Sequence, residues 1–313
     1  MKLDYCVVKE GNFGDDLNPW MWPRLIGECL DPDDGTLFVG IGTLLDQWRV
    51  ENRELGQARK VVVFGAGCGS DTPPILNDKW HIYCVRGPRT AELMGLAPEM
   101  AVVDSAYLIR TFDPLPASGE YPFAFMPHHR SEDYVDWQAV CDQAGIKFIS
   151  PRLSVDQVLA DMGGTKVLLT EAMHGAIVAD ALRVPWVPVT FSPKFAFAKW
   201  QDFTRSIDVE PDYGTLTGAC QFGARLGKRI EGRVKQGLSA FGLGKHKWQD
   251  APPVVKGIGN AALDILAEDI QGIVEQSHPV LSSDTRAEEL TEELQARLEL
   301  LRSDFHKGLL VAS

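Results

Sequence analysis

Residues 167–189 read Val167-Leu168-Leu169-Thr170-Glu171-Ala172-Met173-His174-Gly175-Ala176-Ile177-Val178-Ala179-Asp180-Ala181-Leu182-Arg183-Val184-Pro185-Trp186-Val187-Pro188-Val189. The apolar runs Val167–Leu169 and Trp186–Val189 have the length of buried strands, and His174–Leu182 between them reads as a helix. Two strands joined through a helix lie parallel, because only a crossover connection returns the chain to the same edge. In open sheets of this kind ligands bind beyond the carboxyl ends of the strands. A chemical residue is therefore expected just after a strand and at the start of a helix, which is where His174 stands.

The same alternation extends outward in both directions. Towards the N-terminus it predicts helix Val155–Met162, strand Lys147–Ile149, helix Glu132–Ala144 and strand Phe123–Met126. Before a stretch rich in Pro, Gly and Ser at Asp113–Gly119 come strands Leu3–Val8, Leu37–Ile41, Val61–Phe64, Ile82–Val85 and Ala101–Val103, with helices Leu17–Cys29 and Arg89–Met94. The expected organisation is an N-terminal Rossmann-like domain over 1–115, a second over 116–210, and a helical extension over 211–313. Both domains are expected to be doubly wound α/β sheets facing across a cleft. In the extension, Ile258–Val274 is apolar-periodic. Asp284–His306 carries Leu290, Leu294, Leu298, Leu301 and Phe305 on one face, after a capping box of Thr285 with Glu288. That stripe packs back on the body or makes a contact in a homo-oligomer.

Composition narrows the function classes. Of 313 residues 45% are hydrophobic and 24% charged, which is ordinary for a globular chain. No apolar run reaches the ~18 residues that a membrane span needs, and the N-terminus lacks a signal peptide's apolar stretch, so a cytoplasmic protein is expected. Six scattered cysteines with no Cys-x-x-Cys spacing suggest buried thiols rather than a zinc clamp or disulfides. The net charge of −12 argues against nucleic acid as a partner. One segment departs from that average. Between Leu216 and Gln249, Arg225, Lys228, Arg229, Arg233, Lys235, Lys245 and Lys247 face Glu231 alone. Leu226, Ile230, Val234, Leu238 and Phe241 line one side of it, so it reads as a solvated basic helix or as a peripheral contact with anionic lipid.

Four groups at strand ends could carry chemistry. Gly11-Asn12-Phe13-Gly14-Asp15-Asp16 follows the first strand, where Gly14 permits close approach and Asn12 and Asp15 offer polar groups; a turn with an N-cap explains it equally. Gly65-Ala66-Gly67-Cys68-Gly69 follows the third, and free amides of Gly65 and Gly67 could cradle an anion. Ser70 stands where a dinucleotide fingerprint needs glycine and Arg86 where it needs an acid, so a nicotinamide site is weakly supported. Arg86 ends the fourth strand, where its fork could grip phosphate or carboxylate or pair with a nearby acid. Met126-Pro127-His128-His129-Arg130 repeats that arrangement, and neighbouring histidines on extended chain point apart, so no metal site is expected. Finally, His174 opens an apolar helix whose positive end favours neutral imidazole as a base, and Gly175 would let an anion approach the amides; a structural histidine satisfied by its neighbours is the other reading.

Taken in order, Asn12-Phe13-Gly14-Asp15, Gly65-Ala66-Gly67, Arg86 with Thr90 to Leu93, Val103-Asp104-Ser105-Ala106 and Thr170-Glu171-Ala172-Met173-His174-Gly175 resemble the polysaccharide pyruvyl transferase family. In size and style the chain is similar to the succinoglycan-type exopolysaccharide members. One position departs: where the family places arginine two residues before its histidine, this chain has Ala172. Arg86, Arg130 and Arg152 are the candidates to supply that charge.

The resemblance implies a two-lobed, GT-B-like fold and transfer of a pyruvyl group from phosphoenolpyruvate to a sugar, forming a ketal and releasing phosphate. It implies His174 in the proton role, with Arg86, Asn12, Gly14, Asp15, Gly65, Gly67, Arg130, Arg152, Asp104, Met173 and Gly175 around the substrate. No metal or cofactor is implied. The acceptor would be a lipid-linked saccharide at the inner face of the cytoplasmic membrane. A nucleotide-sugar glycosyltransferase, with Glu171 as the ribose-binding carboxylate, and a non-catalytic saccharide-binding protein stay open beside it.

Overall fold

A computed structural model describes residues 1–310 apart from 33–34, 70, 134, 192–194 and 217–259. The basic segment expected at 216–249 lies, Leu216 apart, outside the described residues, as does Cys220. The first half runs β1 (Lys2–Asp4), α1 (Phe13–Ile26), β2 (Thr36–Val39), α2 (Gln47–Asn52), β3 (Lys60–Phe64), β4 (Trp80–Cys84) and α3 (Pro88–Leu93). Its four strands are parallel in the order β1-β2-β3-β4, with Lys2 beside Leu37, Thr36 beside Lys60 and Val61 beside Trp80. Strand order never reverses here, so this sheet has no switch point. The doubly wound pattern expected of both halves belongs only to the second. Of the predicted strand 101–103, only Ala101 bridges, to Val85.

The second half runs β5 (Tyr121–Met126), α4 (Trp137–Ala144), β6 (Lys147–Phe148), α5 (Val155–Gly163), β7 (Thr165–Thr170), α6 (Met173–Ala181), β8 (Trp186–Thr190), α7 (Phe197–Ser206) and β9 (Gly214–Thr215). Its parallel order is β6-β5-β7-β8-β9, which reverses between β5 and β7. A crevice opens beyond such a reversal because neighbouring crossovers leave to opposite faces. The segment after β5 carries His128, and the segment after β7 carries His174. The helix predicted at 132–144 begins only at Trp137, where Asp136 accepts from the Ala139 amide, because 131–133 form a separate 3₁₀ turn.

Alternating side chains give each sheet two apolar faces. Leu37, Val39, Val61 and Val63 pack outward, while Phe38, Val62 and Phe64 face Phe13, Leu17, Met21 and Trp22 of α1. On the second sheet Phe125, Leu169, Val187 and Val189 face α4 and α8 (Asn260–Gln276), and Ala124, Met126, Leu168 and Trp186 face inward. The two inward faces share one continuous core, through α1, α5, α6 and α9 (Asp284–His306). The leucine stripe of α9 is therefore folded back: Leu290, Leu294, Leu298 and Leu301 are all buried in that core. Its N-cap is Ser283, which accepts from the Arg286 amide, rather than the expected Thr285.

Two late helices tie the halves together. Near the end of the chain, Tyr83 donates to Asp304, and Thr36 and Lys60 donate to the carbonyls of Leu310 and Leu309. Helix α7 packs on α3 and inserts Asp202 beneath the first sheet's last strand end. Among the described residues no helix is long and apolar enough to cross a membrane. Five of the cysteines are free and, Cys6 excepted, buried.

Candidate active site

The carboxyl ends of the two sheets meet directly. The Phe13 amide at the start of α1 donates to the Pro151 carbonyl beyond β6, 2.7 Å away. Gly11 lies against the Arg152 backbone with φ +91°, and a Cβ there would stand 2.9 Å from the Arg152 carbonyl. A side chain could enter neither that space nor that backbone conformation without strain. Next to this seam Gly14 faces His174, whose Nδ1 lies 2.1 Å from where a Cβ on Gly14 would be. Glycine at 14 is what lets the imidazole of one half lie on the helix start of the other.

His174 is brought together with two carboxylates of the first half. Its Nε2 stands 3.7 Å from Asp104 Oδ2, too far for a hydrogen bond. Asp104 is fully buried; its other oxygen accepts from the Ala106 amide, capping a turn. Asp104 Oδ2, the adjacent Ser105 Oγ and His174 Nε2 are all buried and have no hydrogen-bond partner among the described residues. Buried polar atoms without partners cost free energy, so this group awaits a small polar guest or a slight closure. Asp15 completes the set. Burial pushes its carboxyl up, opposed by the Asn12 side chain, which donates to it at 2.5 Å, and by the charge of His174.

Several expected roles are corrected. The glycine turn after β3 is no anion cradle: the amides of Gly65, Gly67 and Cys68 donate to Cys84 O, Gly42 O and Thr90 Oγ1. These glycines serve packing instead. A Cβ on Gly65 would strike Ser105 at 2.6 Å, and one on Gly67 would strike the Arg86 guanidinium at 2.2 Å. Arg86 itself is fully buried. It donates through Nε to Asp202 (3.1 Å), through Nη1 to Thr43 (3.0 Å) and through Nη2 to the Cys68 carbonyl (3.2 Å). Asp202 also accepts from the amide and hydroxyl of Thr90. Arg86 thus pairs with an acid rather than gripping a ligand, because a buried guanidinium needs a counter-charge.

Other candidates also turn towards the protein. Arg152 braces the turn after β5, donating to the His129 carbonyl and, at 3.1 Å, to Asp133. Gly175 is buried against Thr170 and the Met126 sulfur rather than against an open amide, and Met173 packs at the edge of the core. Glu171 accepts from the His128 amide (2.8 Å) and Ser131 hydroxyl (2.6 Å). The carboxylate that a ribose would need is thus occupied in holding the 127–131 turn.

Free positive charge lies elsewhere. Lys199, in the first turn of α7, is half-buried, and its ammonium makes no ion pair among the described residues; burial and the charges of Arg86 and Arg130 push it down. His128, on the turn that Glu171 holds, is pushed down to about 3 by burial and by His129, Arg130 and Lys199. Asp15 acts on Lys199 as His174 acts on Asp15, so cations and proton-handling groups share one neighbourhood. Sequence reasoning missed Lys199. It follows the Trp186–Thr190 strand at a helix start, the same rule that picked out His174. No group of three metal-ligating side chains occurs among the described residues. A separate cavity of about 380 Å³, lined by Trp20, Arg110, Phe112 and Leu182, lies by the linker rather than at these strand ends.

Comparison with known proteins agrees with the sequence motifs. The family profile described as polysaccharide pyruvyl transferase matches residues 56–193. The succinoglycan biosynthesis protein ExoV of Rhizobium meliloti (strain 1021) is 37% identical over 212 residues, which are 67% of this chain and 66% of that protein. The chain thus spans just under two thirds of that curated relative. No solved structure matches.

Proposed function

The chain belongs to the polysaccharide pyruvyl transferase family, and from that premise we propose that it transfers a pyruvyl group from phosphoenolpyruvate to two hydroxyls of one sugar in an exopolysaccharide precursor. Supporting this reading is the meeting of His174, Asp104 and Asp15 with the cations of the second half. The donor carries a phosphate and a carboxylate, both anions suited to that field. Its methylene carbon must gain a proton, and each attacking hydroxyl must lose one as the C–O bonds to the central carbon form and phosphate departs. The methylene takes up one of these two protons and the departing phosphate the other, so no oxidant or reductant enters.

His174 fits the proton role because its ring has one edge towards a carboxylate. With Asp104 holding Nε2–H, Nδ1 is left as the basic nitrogen. This orientation needs the Asp104 gap to close from 3.7 Å to hydrogen-bond length on binding. A GT-B-like relation of the two sheets, a lipid-linked acceptor and contact of segment 216–249 with anionic lipid at the cytoplasmic face belong to the same proposal.

The decisive experiment is phosphate release and ketal formation from phosphoenolpyruvate with extracted lipid-linked acceptor in anionic vesicles. Wild-type protein should form the ketal, and His174→Ala should lower kcat about 100-fold or more. Charge reversal at Lys228, Arg229, Arg233 and Lys235 should slow transfer in vesicles but not to a soluble acceptor. Nucleotide-sugar turnover, or no phosphate release with any acceptor, would overturn the assignment.

A further inference from the structure

Helix α7 does two things at once where it crosses back to the first half. Asp202 is fully buried and ties the helix to Arg86 and Thr90 with bonds of 3.1, 3.0 and 2.6 Å. Lys199 lies three residues earlier, on the same helix face. The anchored helix therefore fixes where the lysine emerges: its Cε lies 3.6 Å from where a Cβ on Gly69 would stand, beside Thr43. Thr43 in turn accepts from Arg86 Nη1.

These groups form one wall, with Lys199 and Arg86 both at Thr43. Arg86 stands behind it with its own charge balanced by Asp202, while Lys199 has no carboxylate within ion-pair distance among the described residues. A half-buried ammonium on which Asp46 and Asp15 act only from beyond ion-pair distance can take an anion directly. Both Lys199 and Asp202 lie beyond the stretch 56–193 that matches the family profile.

We propose that Lys199, emerging beside Thr43, forms a subsite for a phosphate monoester dianion, held in place by the Asp202 anchor of α7 on Arg86. The subsite takes the phosphate end of the donor rather than its carboxylate, because a compact ammonium favours the ligand group of higher charge. It deepens the pyruvyl-transfer reading and rests on it only for the identity of the donor.

Calorimetric titration at constant ionic strength tests the subsite with inorganic phosphate, phosphoenolpyruvate and pyruvate. Lys199→Met should weaken phosphate and phosphoenolpyruvate by about tenfold or more, with pyruvate unchanged; Lys199→Arg should stay within about threefold of wild type. His174→Ala should keep phosphate binding. A thermal midpoint for Lys199→Met equal to wild type checks folding. Unchanged phosphate affinity in a folded Lys199→Met protein, no phosphate binding by wild type, or a Lys199-dependent loss of pyruvate instead, overturns the subsite. The two ideas separate cleanly. Transfer with an unaltered KM in Lys199→Met removes the subsite and leaves the activity; lysine-dependent phosphate binding without transfer does the reverse.

Discussion

The first sheet approaches the seam with glycines, carboxylates and an arginine already balanced, whereas the second approaches it with imidazoles and a lysine that makes no ion pair among the described residues. Gly11, Gly14, Gly65 and Gly67 each make room for a group beside them, whether backbone or side chain. Among the described residues, His174 and His128 stand on the β7 and β5 sides of the one point where a strand order reverses, and Lys199 follows β8. The difference follows from topology. A sheet without a reversal offers no crevice of its own, so its strand ends serve as a shaped floor, while the reversing sheet can aim side chains into open space.

The largest expected break in this comparison is at the balanced arginine. Arg86→Met leaves Asp202 buried without its cation and should cost about 3–5 kcal/mol of stability, read by urea denaturation. Adding Asp202→Asn should recover part of that loss. A stable Arg86→Met protein would mean that the guanidinium is not the keystone of the floor.

A smaller break comes from filling the floor. Gly14 lies inside α1 without a positive φ, so alanine suits the backbone but its methyl would meet the His174 ring. Gly14→Ala should cost about 1–3 kcal/mol of stability through that overlap. A ring displaced by about 1 Å should cost about 100-fold in kcat for pyruvyl transfer. Full activity in that variant would show that the imidazole works from another position.

The smallest effect reads the field of the second half. His128, pushed down to about 3, stays neutral when folded but takes up a proton near pH 6.5 when unfolded. Its folded value is depressed, so the stability it permits is whole above about pH 6.5 and falls as pH drops towards 3. His128→Gln should flatten this decline by about 1 kcal/mol at pH 5.5, measured by thermal melts from pH 7 to 5. An unchanged slope would mean that neither burial nor the cations around it hold the ring neutral.

Much of the fold was legible because apolar periodicity is local. The helix Asp284–His306 appears with its predicted bounds, and the segment 167–189 folds as the strand, helix and strand it spells. His174 was legible too, because a polar ring opening an apolar helix after a strand has few other reasons to be there. The site's cations were not. Arg86 and Lys199 both follow strands at helix starts, and nothing local separates the one that is balanced from the one that is not.

That separation is made by Asp202, 116 residues from Arg86 in the chain. The amino-acid sequence alone determined most strands and helices, the family and the place of His174 after a strand, since each rests on neighbours a few residues apart. Only the tertiary structure decided which charges cancel, which glycines make room and which polar atoms are left without partners. Those depend on burial and on contacts between distant segments, and a buried charge is governed by what the fold places against it.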